Sequence, residues 1–263
     1  MKYLNTELDK SYFEIKQSVK CSIIIPVYNN ANFTKLALKH LSQLSSDHEI
    51  IVVDNGSKDH TSEVLREAQT MAEGPKLVYI SSPKNLGFGR ANNKGYKLAS
   101  GEYIIFINND IKVKDRLQDW TNILMEAAED GSIVCTAGGL LDSECNFVKE
   151  GTGLSQTDYW YMSGWCLCAK REVFDQLILD HYSDDKTDEI TNGKAWGPWN
   201  EKFFLYFEDG DLTWRAKQQN INIKEVSIPV QHIARATGRR YNMFGHFNIS
   251  KKIFKEEWKE KFK

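Results

Sequence analysis

An apolar run of five residues, Tyr103 to Ile107, stops abruptly on Asn108, Asn109 and Asp110. A run this short and this rich in β-branched and aromatic side chains reads as a strand buried on both faces, which is the signature of a parallel sheet covered by helices. The polar groups at its C-terminal tip then fall where open α/β sheets bind ligands, in the crevice beyond the carboxyl ends of the strands. An aspartate after a strand also serves as a turn former or helix N-cap, so Asp110 reads as part of a site only if the rest of the chain brings it partners.

The preceding sequence does so. A first strand over residues 21–25 is closed by Pro26 and followed by the loop Val27-Tyr28-Asn29-Asn30, then by a helix over residues 32–44 with Ala37, Leu41 and Leu44 facing inward. A second strand, residues 49–53, ends on Asp54-Asn55-Gly56-Ser57, where Asp59 or Thr61 can cap a helix running to Gln69. A third, residues 76–80, leads into an Asn- and Gly-rich stretch from Asn85 to Asn93 and a helix through Ala99. This alternation predicts a parallel, doubly wound sheet. Three strands end in polar loops, at 26–30, 54–57 and 108–110, and in a parallel sheet those tips line one edge.

After Asp110 the sequence predicts a helix over residues 120–128, a strand over 133–137, a Gly-rich irregular segment over 138–157, and a strand over 159–169 that carries Trp160 and Trp165. A charged loop, residues 180–193, precedes Ala195-Trp196-Gly197-Pro198-Trp199-Asn200. Residues 203–207 then read as a second buried strand, delivering Glu208, Asp209 and Asp211 as the first delivers Asp110. A helix over 212–219 and a strand over 223–228 lead to His232. The stretch Arg235-Ala236-Thr237-Gly238-Arg239-Arg240 has the make-up of a mobile anion-binding loop.

Both ends carry helical spacing. Leu4, Leu8, Tyr12, Ile15 and Val19 suggest an amphipathic lead-in over residues 1–20, and Phe254, Trp258 and Phe262 recur at i, i+4 and i+8 among lysines in a basic tail over 241–263. Such a tail suits docking on the domain or peripheral contact with an anionic membrane surface. One unit over residues 21–240, with functional halves meeting near Asp110, is the simplest partition.

Composition bounds the function. The 263 residues carry a formal net charge of -2, without the basic excess of a nucleic-acid binder. No run of about 18 apolar residues suggests a membrane span. The five cysteines, an odd number, fit buried thiols in a cytoplasmic protein rather than a disulfide framework.

Over residues 22–238 the chain resembles glycosyltransferase family 2, the inverting transferases of GT-A fold, an α/β fold with a Rossmann-like, mostly parallel central sheet. The resemblance lies in Ser22-Ile23-Ile24-Ile25-Pro26-Val27-Tyr28-Asn29, in Val53-Asp54-Asn55-Gly56-Ser57, in Asn85-Leu86-Gly87-Phe88-Gly89, in Asn108-Asn109-Asp110 at the family's Asp-x-Asp position, and in Phe207-Glu208-Asp209-Gly210-Asp211 at its acceptor-side acidic motif. Two departures stand out: Asn108 replaces the first carboxylate of Asp-x-Asp, and Asn92 stands where the family often has Arg. The Asn-Asn-Asp form resembles the rhamnosyltransferase-like branch.

The resemblance implies a UDP- or dTDP-sugar donor, a glycan or lipid-linked glycan acceptor, and a divalent cation, Mn2+ or Mg2+. It also fits work in cell-surface polysaccharide synthesis from the cytoplasmic side, by a monomer or a homo-oligomer. A hard cation bridging the diphosphate wants oxygen ligands, few of them from protein. Asp110 is the natural ligand, with Asn108 or Asn109 reaching it through water or meeting the sugar, and the resemblance adds His232. Asp54 can accept the imide N–H of uracil or thymine, Tyr28 can stack on the base beside Pro26, and Asn29 can bond the ribose or base edge; equally, Asp54 can start a turn and Asn29 cap a helix. Asn85, Gly87 and Arg90 are placed to support the nucleotide, and Arg239, with Arg235 and Arg240, to close over the diphosphate.

Inversion needs a carboxylate to take the acceptor's proton: Asp209, with Glu208 second and Asp211 as a helix cap. Trp165, Trp196 and Trp199 offer aromatic faces to sugar rings, whereas Trp160 and Trp214 read as core. The competing readings are a nucleotidyltransferase, which would want a Gly-rich basic loop after the first strand, and a non-catalytic nucleotide-binding module, which would not need Asp110 and Asp209.

Overall fold

The computed structural model describes residues 19–70, 74–114, 119–154, 157–179, 197–233 and 244–261. Strand and helix alternate through β1 (Cys21–Val27), α1 (Ala31–Leu41), β2 (His48–Asp54), α2 (Thr61–Gln69), β3 (Lys76–Ser81), α3 (Phe88–Leu98) and β4 (Tyr103–Ile107). Then follow β5 (Ile111–Val113), α4 (Trp120–Ala127), β6 (Ile133–Cys135), β7 (Gly138–Leu141), β8 (Phe147–Gly151), β9 (Trp160–Met162), β10 (Cys166–Lys170) and α5 (Arg171–Asp175). The remaining elements are α6 (Glu208–Gln218), β11 (Ile223–Glu225), β12 (Val230–His232) and α7 (Phe244–Glu257).

Among the described residues the main sheet has seven strands in the order β11-β6-β10-β4-β1-β2-β3. Every neighbouring pair in it is parallel except the two made by β10, which runs against β4 and β6. The alternation of side chains along a strand splits the core in two. Ile23, Ile25, Ile50, Val52, Ile105 and Ile107 pack on one face against Leu38 and Leu41 of α1, Leu65 of α2 and Leu124 of α4. Ile24, Ile51, Ile104 and Phe106 face the other way, toward Tyr96 of α3, Phe174 of α5 and Leu212 of α6. Both faces of β4 are therefore dry, and its apolar run needs no polar alternation. Pro26 is tolerated inside β1 because β4 pairs with β1 only over Cys21 to Ile24, so its missing N–H breaks no ladder bond on that side.

Two small sheets complete the crevice edge. β5 pairs antiparallel with β12, setting His232 opposite Ile111 and so beside Asp110. β8, β7 and β9 form a three-stranded sheet.

The structure corrects several sequence expectations. Residues 203–207 form no strand: Tyr206 and Phe207 both have φ 69, in the left-handed region, and α6 begins directly at Glu208. The apolar residues of this bend find their partners in a third cluster, where Phe203 and Phe207 pack with Trp214 of α6 and Phe254 of α7. The carboxylates consequently sit in the first turn of a helix whose N-terminus favours negative charge. Asp211, read as a cap, lies inside that helix and pairs with Arg215 at 2.8 Å.

The strand expected over residues 159–169 is two, β9 and β10, in different sheets, parted at Ser163-Gly164-Trp165. The strand expected over 223–228 stops at Glu225. The basic tail docks through its apolar side: Phe254 is fully buried, and Phe247 and Trp258 pack on the same cluster. All five cysteines are free and buried. Among the described residues no helix is long and apolar enough to cross a membrane. The lead-in over residues 1–18, the acidic loop over 180–193, Trp196, and Arg235, Arg239 and Arg240 lie outside the described residues.

Candidate active site

The tips of β1, β2 and β4 come together, as the parallel register requires, and side chains weld them. Asn29 and Asn30 take φ values of 55 and 61, a left-handed conformation that Asn adopts more readily than most residues. Asn29 Oδ1 accepts from the Lys58 backbone N–H at 2.7 Å, and its own N–H donates to Ser57 Oγ at 2.8 Å. Asp54, buried at the end of β2, accepts from the Ser57 N–H at 2.9 Å. Pro26, Tyr28, Asn29 and Asp54 thus sit together at the tips of β1 and β2, where Asn29 and Asp54 perform the loop-shaping duties open to them from sequence alone.

The loop before α3 is held more tightly than its composition suggests, and by a residue that sequence reasoning passed over. Asn55 donates to Asn85 Oδ1 at 2.9 Å and to the Gly87 carbonyl at 3.0 Å, and its own oxygen accepts from the Leu86 N–H at 2.8 Å. Its signal was the adjoining polar pair Asp54-Asn55 at a buried strand end. Gly87 is required for a close approach, but to protein: at φ +90, a Cβ there would lie 2.4 Å from the Phe204 carbonyl oxygen. The Phe88 N–H donates to that same carbonyl at 2.8 Å, tying the loop to the bend before Glu208. Gly87→Ala is expected to cost about 3 kcal/mol, from forbidden backbone geometry plus a backbone clash, read as a lower urea midpoint with unchanged slope.

Arg90 has a protein partner that its sequence surroundings do not announce. Its Nε donates to Glu201 at 3.1 Å, and Glu201 is buried and also accepts from Asn93 at 3.0 Å. Arg90 and Asn93 fasten α3 to the segment after Pro198. Trp199 is fully buried, stacked edge-on against Phe88 and Phe106, and is core rather than a sugar platform. Trp160 and Trp214 are core as expected.

On the β4 side the polar tip gathers a second group. His232 Nε2 lies 3.0 Å from Asp110 Oδ1 and 3.3 Å from Asn108 Nδ2, while Asn109 donates to Thr34 Oγ1 on α1 at 2.9 Å. Asp110, Asn108 and His232 therefore meet, and Asn109 is turned to the helix. Among the described residues no group of three or more His, Cys, Asp or Glu converges. Two donors 3.0 Å apart nevertheless fit a divalent cation. Bound at about 2.1 Å, such an ion holds adjacent ligands about 3 Å apart, and it habitually takes its other ligands from water and phosphate.

Asp209 reaches the same crevice from α6. Its Oδ2 accepts from the Gly164 N–H at 3.2 Å and its Oδ1 from the Gly210 N–H at 2.9 Å. Burial pushes its carboxyl up to about 7, opposed by those two N–H donors and reinforced by the charge of Glu150. Glu208 is more deeply buried: burial and the neighbouring Asp209 hold it well above the usual carboxylate range, and among the described residues its Oε2 has no hydrogen-bond partner. A buried carboxyl near neutrality at a crevice wall can take a proton from a hydroxyl.

The chain has relatives among known proteins, and they bear on its family and its fold. The family model "Glycosyl transferase family 2" matches residues 22–160, more than half of the 263-residue chain. The cholesterol galactosyltransferase of Borreliella burgdorferi is 31% identical over 227 residues, covering 85% of this chain and 58% of that protein. The undecaprenyl-phosphate 4-deoxy-4-formamido-L-arabinose transferase of Aeromonas hydrophila is 26% identical over 198 residues, covering 66% and 59%. The chain thus spans little more than half the length of either relative. Among solved structures, the mannosyltransferase of Pyrobaculum calidifontis in complex with GDP-Man and Mn2+ superposes with a TM-score of 0.59 at 14% identity, covering 88% of this chain and 62% of that one. GalNAc-T7 with UDP, GalNAc and Mn2+ gives 0.57 at 17%, covering 83% and 44%. These neighbours share the central, mostly parallel sheet flanked by helices of the GT-A fold. On the extent of the family match, with the fold in accord, the chain belongs to glycosyltransferase family 2.

Proposed function

We propose that this chain is an inverting, metal-dependent glycosyltransferase that moves a hexosyl or deoxyhexosyl group from a UDP- or dTDP-sugar to a hydroxyl of a glycan or lipid-linked glycan. The observation that carries the reading is the convergence on one sheet edge of an Asp110–His232 pair at cation spacing and a half-buried Asp209 with its carboxyl raised to about 7. When bound, a divalent cation supplies charge stabilisation to the departing diphosphate. Asp110 and His232 hold it, Asp54 and Tyr28 flank the base, and Asp209 removes the acceptor proton with its carboxylate oriented by the Gly164 N–H. Two relatives are named for cholesterol and undecaprenyl phosphate, which supports a lipid-linked acceptor and a place at the inner face of the cell membrane.

A thermal-shift panel of UDP, dTDP, GDP and ADP, each with and without Mn2+, tests this reading. Stabilisation by UDP or dTDP that requires the metal is expected. A response confined to purine nucleotides, or one indifferent to metal, overturns it.

A further inference from the structure

The link Ser163-Gly164-Trp165 between β9 and β10 touches both halves of the crevice. Met162 before it donates its N–H to Thr213 Oγ1 on α6 at 3.0 Å, and Ser163 Oγ donates to Glu150 at 2.7 Å. The Gly164 N–H meets Asp209, and Gly164 is closely packed, since a Cβ would come to 3.2 Å from the Asp209 Cβ and from the Trp199 ring. The Trp165 carbonyl accepts from the Asn108 N–H at 2.9 Å, fixing the link to the end of β4. The buried Trp165 indole then lies flat on the His232 imidazole, with ring centroids 5.0 Å apart and planes 5° from parallel.

A histidine that holds a metal is usually oriented by a hydrogen bond from its second ring nitrogen to a carboxylate or carbonyl. Here both bonds of His232 are made by Nε2, to Asp110 and Asn108, and among the described residues Nδ1 has no partner. Among the described residues nothing on that nitrogen sets the ring plane, and the torsion that turns an imidazole is intrinsically soft. The flat indole face blocks rotation and leaves Nε2 aimed at Asp110.

We propose that Trp165 is a positioning residue of the metal site: stacking, in place of a hydrogen bond, orients His232 toward Asp110, and the backbone of the same link sets that site in register with Asp209. The proposal rests on the metal-site reading of Asp110 and His232. It gives Trp165 a duty other than a platform for a sugar ring.

The metal-free chain offers the first test. The C–H proton resonances of His232, identified by their loss in H232Q, are expected well upfield of an unstacked imidazole because of the indole ring current; resonances at ordinary positions overturn the stacking. The second test titrates Mn2+ in the presence of UDP, with thermal shift as readout, in wild type, W165F, W165L and H232Q. W165L is expected to raise the Mn2+ midpoint about tenfold, in the range of lost outer-shell support, while W165F, which keeps a flat ring, stays within about threefold. A wild-type midpoint in W165L, or a change only in acceptor KM, overturns the proposal. A wild-type Mn2+ response in H232Q overturns the metal-site reading itself, and this inference with it.

Discussion

Asp209→Asn is expected to reduce sugar transfer at least 100-fold, the usual scale for loss of a general base, and to make the protein more stable at pH 8. The stability gain follows from the direction of the shift. Burial raises the folded-state carboxyl from 3.8 to about 7, so folding takes up a proton between those values. The favourable contribution of the group is complete below about pH 4 and is lost as pH rises to about 7; above that, the folded state carries a buried charge at a constant penalty. Asn removes the penalty but turns its NH2 toward one of the two N–H donors now satisfied by the carboxylate, from Gly164 and Gly210. The net gain is about 1 kcal/mol, or about 3 °C in Tm at pH 8, and it turns into a net loss at pH 4, where the mismatched N–H remains and no charge penalty is relieved. Thermal melts at the two pH values, beside a transfer assay, check both halves. Retained transfer would place the base elsewhere, and a gain equal at both pH values would remove burial as its cause. In wild type, kcat/KM is expected to rise with pH and level off above about 7.

Asp110→Asn has an expected effect on transfer at least as large, and it separates the structural from the metal-holding role. The amide retains an oxygen to pair with His232, now 3.0 Å away, and the Ile233 N–H still donates to the residue 110 carbonyl. The metal-free fold is therefore expected to melt within about 1 kcal/mol of wild type. Binding of Mn2+ with UDP, followed by isothermal titration, should weaken by more than tenfold, because this Asp-x-Asp position has only one carboxylate. Transfer should fall by about 1000-fold, the worth of several kcal/mol of charge stabilisation on the leaving diphosphate. Undiminished Mn2+ binding in D110N would show that the cation is held elsewhere.

The legible parts of the site are those that local pattern specifies. Tyr103 to Ile107 has to be a buried strand because its every residue is apolar, and the chain's strand-helix alternation makes it parallel to β1 and β2. That parallelism brings Asp54 and Asp110 to one edge. His232 was expected at the site through the family resemblance, and the antiparallel pairing of β12 with β5 accounts for its position.

The illegible parts depend on contacts across long separations. Residues 203–207 have the composition of a strand, yet they bend because Phe203 and Phe207 find Phe254 of α7, and because the Phe204 carbonyl pairs with the Phe88 N–H rather than with a ladder. Nothing local in Arg90 indicates that Glu201 lies beside it, or in Gly87 that the backbone approaching it belongs to Phe204. Trp165 and Trp199 look alike in sequence; the structure stacks one on His232 and buries the other in the core.

Sequence alone determined the doubly wound core and the set of polar strand ends, since side-chain periodicity and turn chemistry act over a few residues. Only the tertiary structure decided which carboxylates, ring and backbone N–H groups meet. The distance from Asp110 to His232, and the burial that raises Asp209, arise from packing between segments far apart in the chain, 122 residues for His232 and Asp110 and 45 for Asp209 and Gly164, where many pairings satisfy the same local pattern and only the assembled core selects one.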